Sequence, residues 1–203
     1  MLTILALSGL ELSWVQAQKA DTYYLTGEFN AGNYYGAHFG LTYVLENKYS
    51  LNVGFTGNVR KPRSLPKDYI GGLASGLSFG LSDPKDHILT YGFGMGRIYD
   101  LNAKGTIRAH ISLGLGYSII KEPRDWQAKD PVGTLDFSRN YTHSYGNRST
   151  LSLILAPKIE FPISRYFGPS LSPMLQINKD RTYIGLGFGA MIGKLRGRKL
   201  ATP

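Results

Sequence analysis

Residues Ile107–Lys121, I-R-A-H-I-S-L-G-L-G-Y-S-I-I-K, constrain the fold of this chain more than any other stretch. With a period of two they put Ala109, Ile111, Leu113, Leu115, Tyr117 and Ile119 on one face and Arg108, His110, Ser112, Gly114, Gly116 and Ser118 on the other. One face is fit for hydrocarbon and the other is small or polar. A strand facing bulk water rarely needs so many glycines, so the small face points to a narrow polar interior. The pattern recurs about eight times along the chain, in segments bounded by turn residues.

The recurrences follow in order. Tyr23–Asn30 alternates and ends at Ala31-Gly32-Asn33, Tyr35–Leu45 marks a second strand, and Tyr49 onward a third. From Arg60 the alternation breaks into R-K-P-R-S-L-P-K-D, a basic loop bearing prolines. Tyr69–Leu81 reads either as a strand or as a loop with a short helical turn. His87–Tyr99, Ile107–Lys121, Ser149–Phe161, Gly168–Ile177 and Thr182–Gly193 complete the set. With 69–81 as loop the count is eight, and the long connections 60–86 and 122–147 fall on one side, opposite short turns. That is the preferred reading, with ten strands as the fallback. Pro157 and Pro173 stand inside strands, where each removes a ladder donor, so bulges or strand ends are expected there.

Composition bounds the rest. The chain has 203 residues and no cysteine, which excludes a disulfide framework, a thiolate metal site and a catalytic thiol. Residues 1–17 read as a cleaved signal peptide ending at Val15-Gln16-Ala17, leaving 18–203 as one domain with a basic tail, 194–203. A closed sheet with its apolar face outward is the one β architecture that satisfies every backbone polar group in lipid. Tyr43, Tyr49, Tyr99 and Tyr166 then fall near the short-turn rim, and Phe29, Tyr35, Tyr117 and Tyr183 near the opposite rim. Periodicity alone leaves open a soluble, lipocalin-like barrel with the apolar face inward around a ligand.

The leader, the alternating strands rich in glycine and tyrosine, and the loop asymmetry together resemble the small outer-membrane β-barrel proteins of Gram-negative bacteria, over residues 22–193. The resemblance implies an all-β, antiparallel, up-and-down transmembrane barrel. It also implies location in the outer membrane, and the chain is expected to be a monomer with a structural or surface-interaction role and no demonstrable catalysis.

Within such a barrel Glu28, Arg108, His110, Lys158 and Glu160 share the lumen, where charges need partners. Arg108 and Glu160 lie near the short-turn rim on neighbouring strands and are expected to pair. Arg60, Lys61, Arg63 and Lys67 form a basic surface loop that faces outward, placed to meet outer-membrane lipid and lipopolysaccharide phosphates. Lys194, Arg196, Arg198 and Lys199 form a second cluster in the tail. The formal charge of +9 would suggest nucleic acid in a cytosolic protein, but export removes that partner. Asp136, His143 and Ser144 share one long loop and carry the residue types of a lipid A modifying enzyme, the alternative function, with nothing to fix their geometry. The histidines show no metal-ligand spacing, and G-F-G-M-G and G-L-G-F-G do not complete a dinucleotide loop, so no cofactor or metal is expected.

Overall fold

The computed structural model describes residues 21–130 and 138–196. Its eight strands are β1 Thr22–Gly32, β2 Tyr35–Leu45, β3 Tyr49–Arg60, β4 Asp86–Asp100, β5 Arg108–Ala128, β6 Tyr141–Glu160, β7 Phe167–Asn178 and β8 Thr182–Lys194. Each pairs antiparallel with the next, and β8 pairs back onto β1 to close the ring. Residues 69–81 contribute no strand; they hold the short helix α1, Gly72–Leu77, so the count is eight. No described helix is long and apolar enough to cross a membrane.

The alternation decides which side faces out. Leu25, Phe29, Phe39, Tyr91, Phe93, Leu113, Leu115, Leu151 and Phe188 are exposed on the outer surface, Phe29 by 81% and Leu151 by 74%. The buried side chains are those of the other parity, among them Thr26, Glu28, Thr90, Arg108, Ser118, Ser152 and Gln176. An apolar exterior around a polar interior inverts the order of a lipocalin-like carrier and fits a hydrocarbon surround. Near the end that carries the short turns, Arg97 lies over the rings of Tyr49 and Tyr99, and Arg165 over Tyr166. Guanidinium groups on rim tyrosines suit a level where hydrocarbon meets polar headgroups.

Three expectations need correction. Residues 122–147 are not mainly loop: β5 and β6 run on to Ala128 and from Tyr141, forming a hairpin that rises beyond the barrel wall. Beyond Lys121 the paired length of β4 has ended, so Pro123 stands where β5 has only β6 as a neighbour and its missing N–H breaks no ladder. Tyr183 is not in the outer girdle; it is 1% exposed, faces the lumen and meets Tyr34 edge to face. Pro157 and Pro173 make neither bulge nor strand end. They lie opposite each other in an unshifted β6–β7 register, and the ladder is interrupted between Leu155↔Leu175 and Ile159↔Leu171.

Candidate functional site

The lumen is filled in layers. At the short-turn end Tyr24, Val44, Ile98, Met191 and Leu195 form an apolar cap, with Leu195 folded in just after β8. Arg108 Nη1 donates to the Leu195 carbonyl at 2.8 Å and so ties this cap to the charges above it.

Those charges centre on Glu160, which is fully buried. The β5–β6 register sets Arg108 directly opposite Glu160 and His110 opposite Lys158. Arg108 Nη2 lies 2.6 Å from Glu160 Oε2, and Tyr24 donates its hydroxyl to Oε1 at 2.5 Å. His110 Nδ1 lies 3.3 Å from Oε1, and because a carboxylate only accepts, that nitrogen is the donor. Its Nε2 meets Ser50 Oγ at 2.7 Å. Room for the imidazole comes from Gly96, where a Cβ would stand 2.9 Å from His110 Nε2. Lys158 pairs with Glu28 instead, at 2.9 Å, and Ser170 and Ser172 donate to the same carboxylate. The five lumen residues therefore make two adjacent ion-pair groups.

Beside Glu28 and Lys158, which help to line it, lies a cavity of about 90 Å³, bounded by glycines of β2–β5 and by Ile154 and Met174 across the barrel. Gln176 next bridges Thr90, Ser118 and Ser152. Tyr34, Ile88, Ile120, Met174 and Tyr183 form a second apolar cap. Arg60 covers this cap, its guanidinium 4.4 Å from the Tyr34 ring centre and paired with Asp86 at 2.9 Å. Arg60 is thus removed from the basic surface loop, whereas Lys61, Arg63 and Lys67 stay exposed.

At the mouth, Glu122 accepts from Arg181 Nε at 2.7 Å and also from Arg148, which reaches Asp180 at 3.5 Å. Glu122 stands beyond the outward-facing Lys121 and so above the apolar belt. Burial pushes its carboxyl up, but the Arg181 hydrogen bond and the Arg181 and Arg148 charges outweigh that and hold it below the ordinary carboxylate value. Glu122 and Arg148 were missed in the sequence, although both keep the inward parity of their strands.

The hairpin carries a separate aromatic cluster. Trp126 stacks on His143 at 4.9 Å between ring centres, His143 meets Tyr145 at 5.1 Å, and Tyr145 meets His87 at 6.2 Å. Residues 61–85 dock here: Tyr69 packs on Trp126, Ser64 donates to the Pro123 carbonyl, and Asp68 receives the Tyr141 hydroxyl. The segment covers the free edge of β5, which would otherwise expose unpaired backbone groups. Burial, aided by the Arg139 charge, holds His143 below the ordinary imidazole value.

Of the candidate catalytic set, the described members His143 and Ser144 do not engage each other. Ser144 donates to Asp125 Oδ2 at 2.6 Å while the neighbouring His143 is stacked among aromatic rings. Asp136 lies outside the described residues, as do residues 1–17, Arg198 and Lys199. Lys194 ends β8, and Arg196 donates to the carbonyls of Lys104 and Ile163. No group of three or more potential metal ligands occurs among the described residues.

Neither a family model nor a curated protein matches the sequence. Among solved structures the chain is similar to Ail, the attachment invasion locus protein of Yersinia pestis, at 12% identity and a TM-score of 0.50, covering 85% of this chain and 97% of that one. It also aligns with the N-terminal β-barrel domain of Pseudomonas aeruginosa OprF at 13% identity, 87% and 98% coverage and a TM-score of 0.49. Neisserial surface protein A aligns at 9% identity, 85% and 94% coverage and a TM-score of 0.46. At such identities the likeness is one of fold: eight antiparallel up-and-down strands in one ring, the architecture of small outer-membrane barrels.

Proposed function

We propose that this chain is exported through a leader, residues 1–17, and works as a monomeric outer-membrane barrel whose role is structural or one of surface interaction. Its partners are the outer-membrane lipid around it and anionic lipopolysaccharide groups at its loop end. The observation that carries this reading is the filled lumen. Buried side chains run from the Leu195 cap through Glu160, Gln176 and Tyr34 to the mouth, so among the described residues no end-to-end passage supports a channel role. What remains free to act is the outer surface, where Lys61, Arg63 and Lys67 are exposed on a segment anchored to the β5–β6 hairpin. Such a cluster suits phosphate groups. Catalysis is not part of the proposal, because Ser144 is held by Asp125 and turned to the opposite strand face from His143.

The test is binding of the purified barrel to vesicles with and without lipopolysaccharide. The triple variant Lys61→Ala, Arg63→Ala, Lys67→Ala should lose roughly tenfold or more in apparent affinity, and the native chain should weaken as salt rises. Equal binding by the folded variant would remove the basic segment from the proposal.

A further inference from the structure

Pro157 and Pro173 become significant as a pair. The β5–β6 ladder is intact at Ile111↔Pro157, and the β7–β8 ladder is intact at Pro173↔Leu186. A residue in an antiparallel sheet exchanges its hydrogen bonds with only one of its two neighbours. Proline has no N–H to exchange, so intact ladders on the outer sides mean that both missing donors belong to the shared β6–β7 seam. Two bonds are therefore lost at one point, which accounts for the interruption without any register shift.

The point is well placed. On the outer surface the prolines are flanked by Leu155, Ile159, Leu171 and Leu175, midway along the lipid-facing side of β7. On the inner surface the residues adjoining the gap are Ala156, Lys158, Ser172 and Met174, and all four line the lumen cavity. Thr26 lines it too, and its hydroxyl is buried with no protein partner. Both axial routes are occupied by the two apolar caps. Parting β6 from β7 at the prolines breaks no backbone hydrogen bond there, whereas elsewhere in the wall opening would strand polar groups in hydrocarbon.

We propose that the β6–β7 seam is a lateral portal through which a small uncharged lipophile bearing one polar group passes from the bilayer into the lumen cavity. A cavity of about 90 Å³ is smaller than the roughly 150 Å³ that accommodates benzene. The class of ligand is thus a molecule of a few carbons, such as a short alkanol, its hydroxyl meeting Thr26.

The chain has no cysteine, so Ala156→Cys gives a single reporter on the inner side of the seam. In barrels reconstituted into phospholipid bilayers, N-ethylmaleimide, uncharged and lipid-soluble, should modify it at least about tenfold faster relative to the unfolded chain than a charged trimethylammonium thiosulfonate does. Propan-1-ol, which is smaller than benzene, should slow that reaction. Adding Pro157→Val and Pro173→Val, which restores both donors, should slow it by roughly tenfold or more, with the heat-dependent gel shift confirming that the barrel is folded. Equal protection factors for the two reagents would mean an aqueous route, and absence of labelling in the folded barrel would mean a shut seam. An unchanged rate in the double valine variant would mean that the prolines do not matter, and no protection by propan-1-ol would mean that the cavity does not receive the ligand. Any of these overturns the portal.

Discussion

Arginine–carboxylate contacts occur at both ends of this barrel, and their surroundings differ. At the short-turn end Arg108 and Glu160 have side chains 7% and 0% exposed, under a cap closed by Leu195. At the mouth Arg148 and Glu122 are 40% and 9% exposed, and Arg124 and Arg181 share the same carboxylate. The lower pair has one carboxylate serving a guanidinium, an imidazole and a tyrosine, all of them buried. The upper group has surplus cations and open solvent. The same chemistry should be rigid and salt-independent below, but adjustable and screened above.

The largest effect expected from this contrast is at Glu160. Glu160→Ala leaves Arg108 buried without its counter-ion and should lower the unfolding free energy by about 3–5 kcal/mol, measured by urea unfolding in detergent or bilayer. A loss below about 1 kcal/mol, the range of exposed pairs, would erase the distinction. Glu122→Gln should cost no more than about 1 kcal/mol, because its partners remain in contact with water. Its contribution depends on pH in a definite sense. The folded carboxyl sits below the ordinary value of 4.5, so its stabilisation is present above that pH and fades as pH falls through the lower, folded value. Native chain and Glu122→Gln should therefore converge on acidification, and divergence would contradict the pairing. Raising salt from about 0.1 M to 1 M shortens the screening length from about 10 Å to 3 Å. It should shrink the Glu122→Gln difference and leave the Glu160→Ala difference in place. The smallest effect belongs to Ser144→Ala, within about 0.5 kcal/mol in stability and without change in any lipid A modification, because Ser144 and Asp125 are exposed.

The lower pair was legible in the sequence for a simple reason. Arg108 opens one strand and Glu160 ends the next, so once alternation fixes the facing, a hairpin register brings them together. The mouth was legible only as far as the alternation was followed. Glu122 and Arg148 keep inward parity, but Pro123 and then a bulge between Arg124 and Gln127, with Asp125 at a φ of 52°, interrupt the pattern. An inserted residue exchanges the two faces, which is how Trp126 comes to lie with His143 and Tyr145. Tyr183 shows the opposite case: the outward parity of Ile184, Leu186 and Phe188 already turned it inward, against its apparent place in an aromatic girdle. The docking of residues 61–85 depends on contacts such as Tyr69 with Trp126 and Asp68 with Tyr141, which link distant segments and leave no periodic trace.

Every facing in this barrel follows from one orientation, the apolar face of the ring outward to lipid and the polar face inward. Its most direct test is fractionation of the chain expressed in a Gram-negative host, with gel mobility compared before and after heating. The chain should partition with the detergent-extracted outer membrane and change mobility on heating, as a closed, lipid-embedded barrel does. A folded chain recovered in the soluble periplasm, with no heat-dependent shift, would contradict the account.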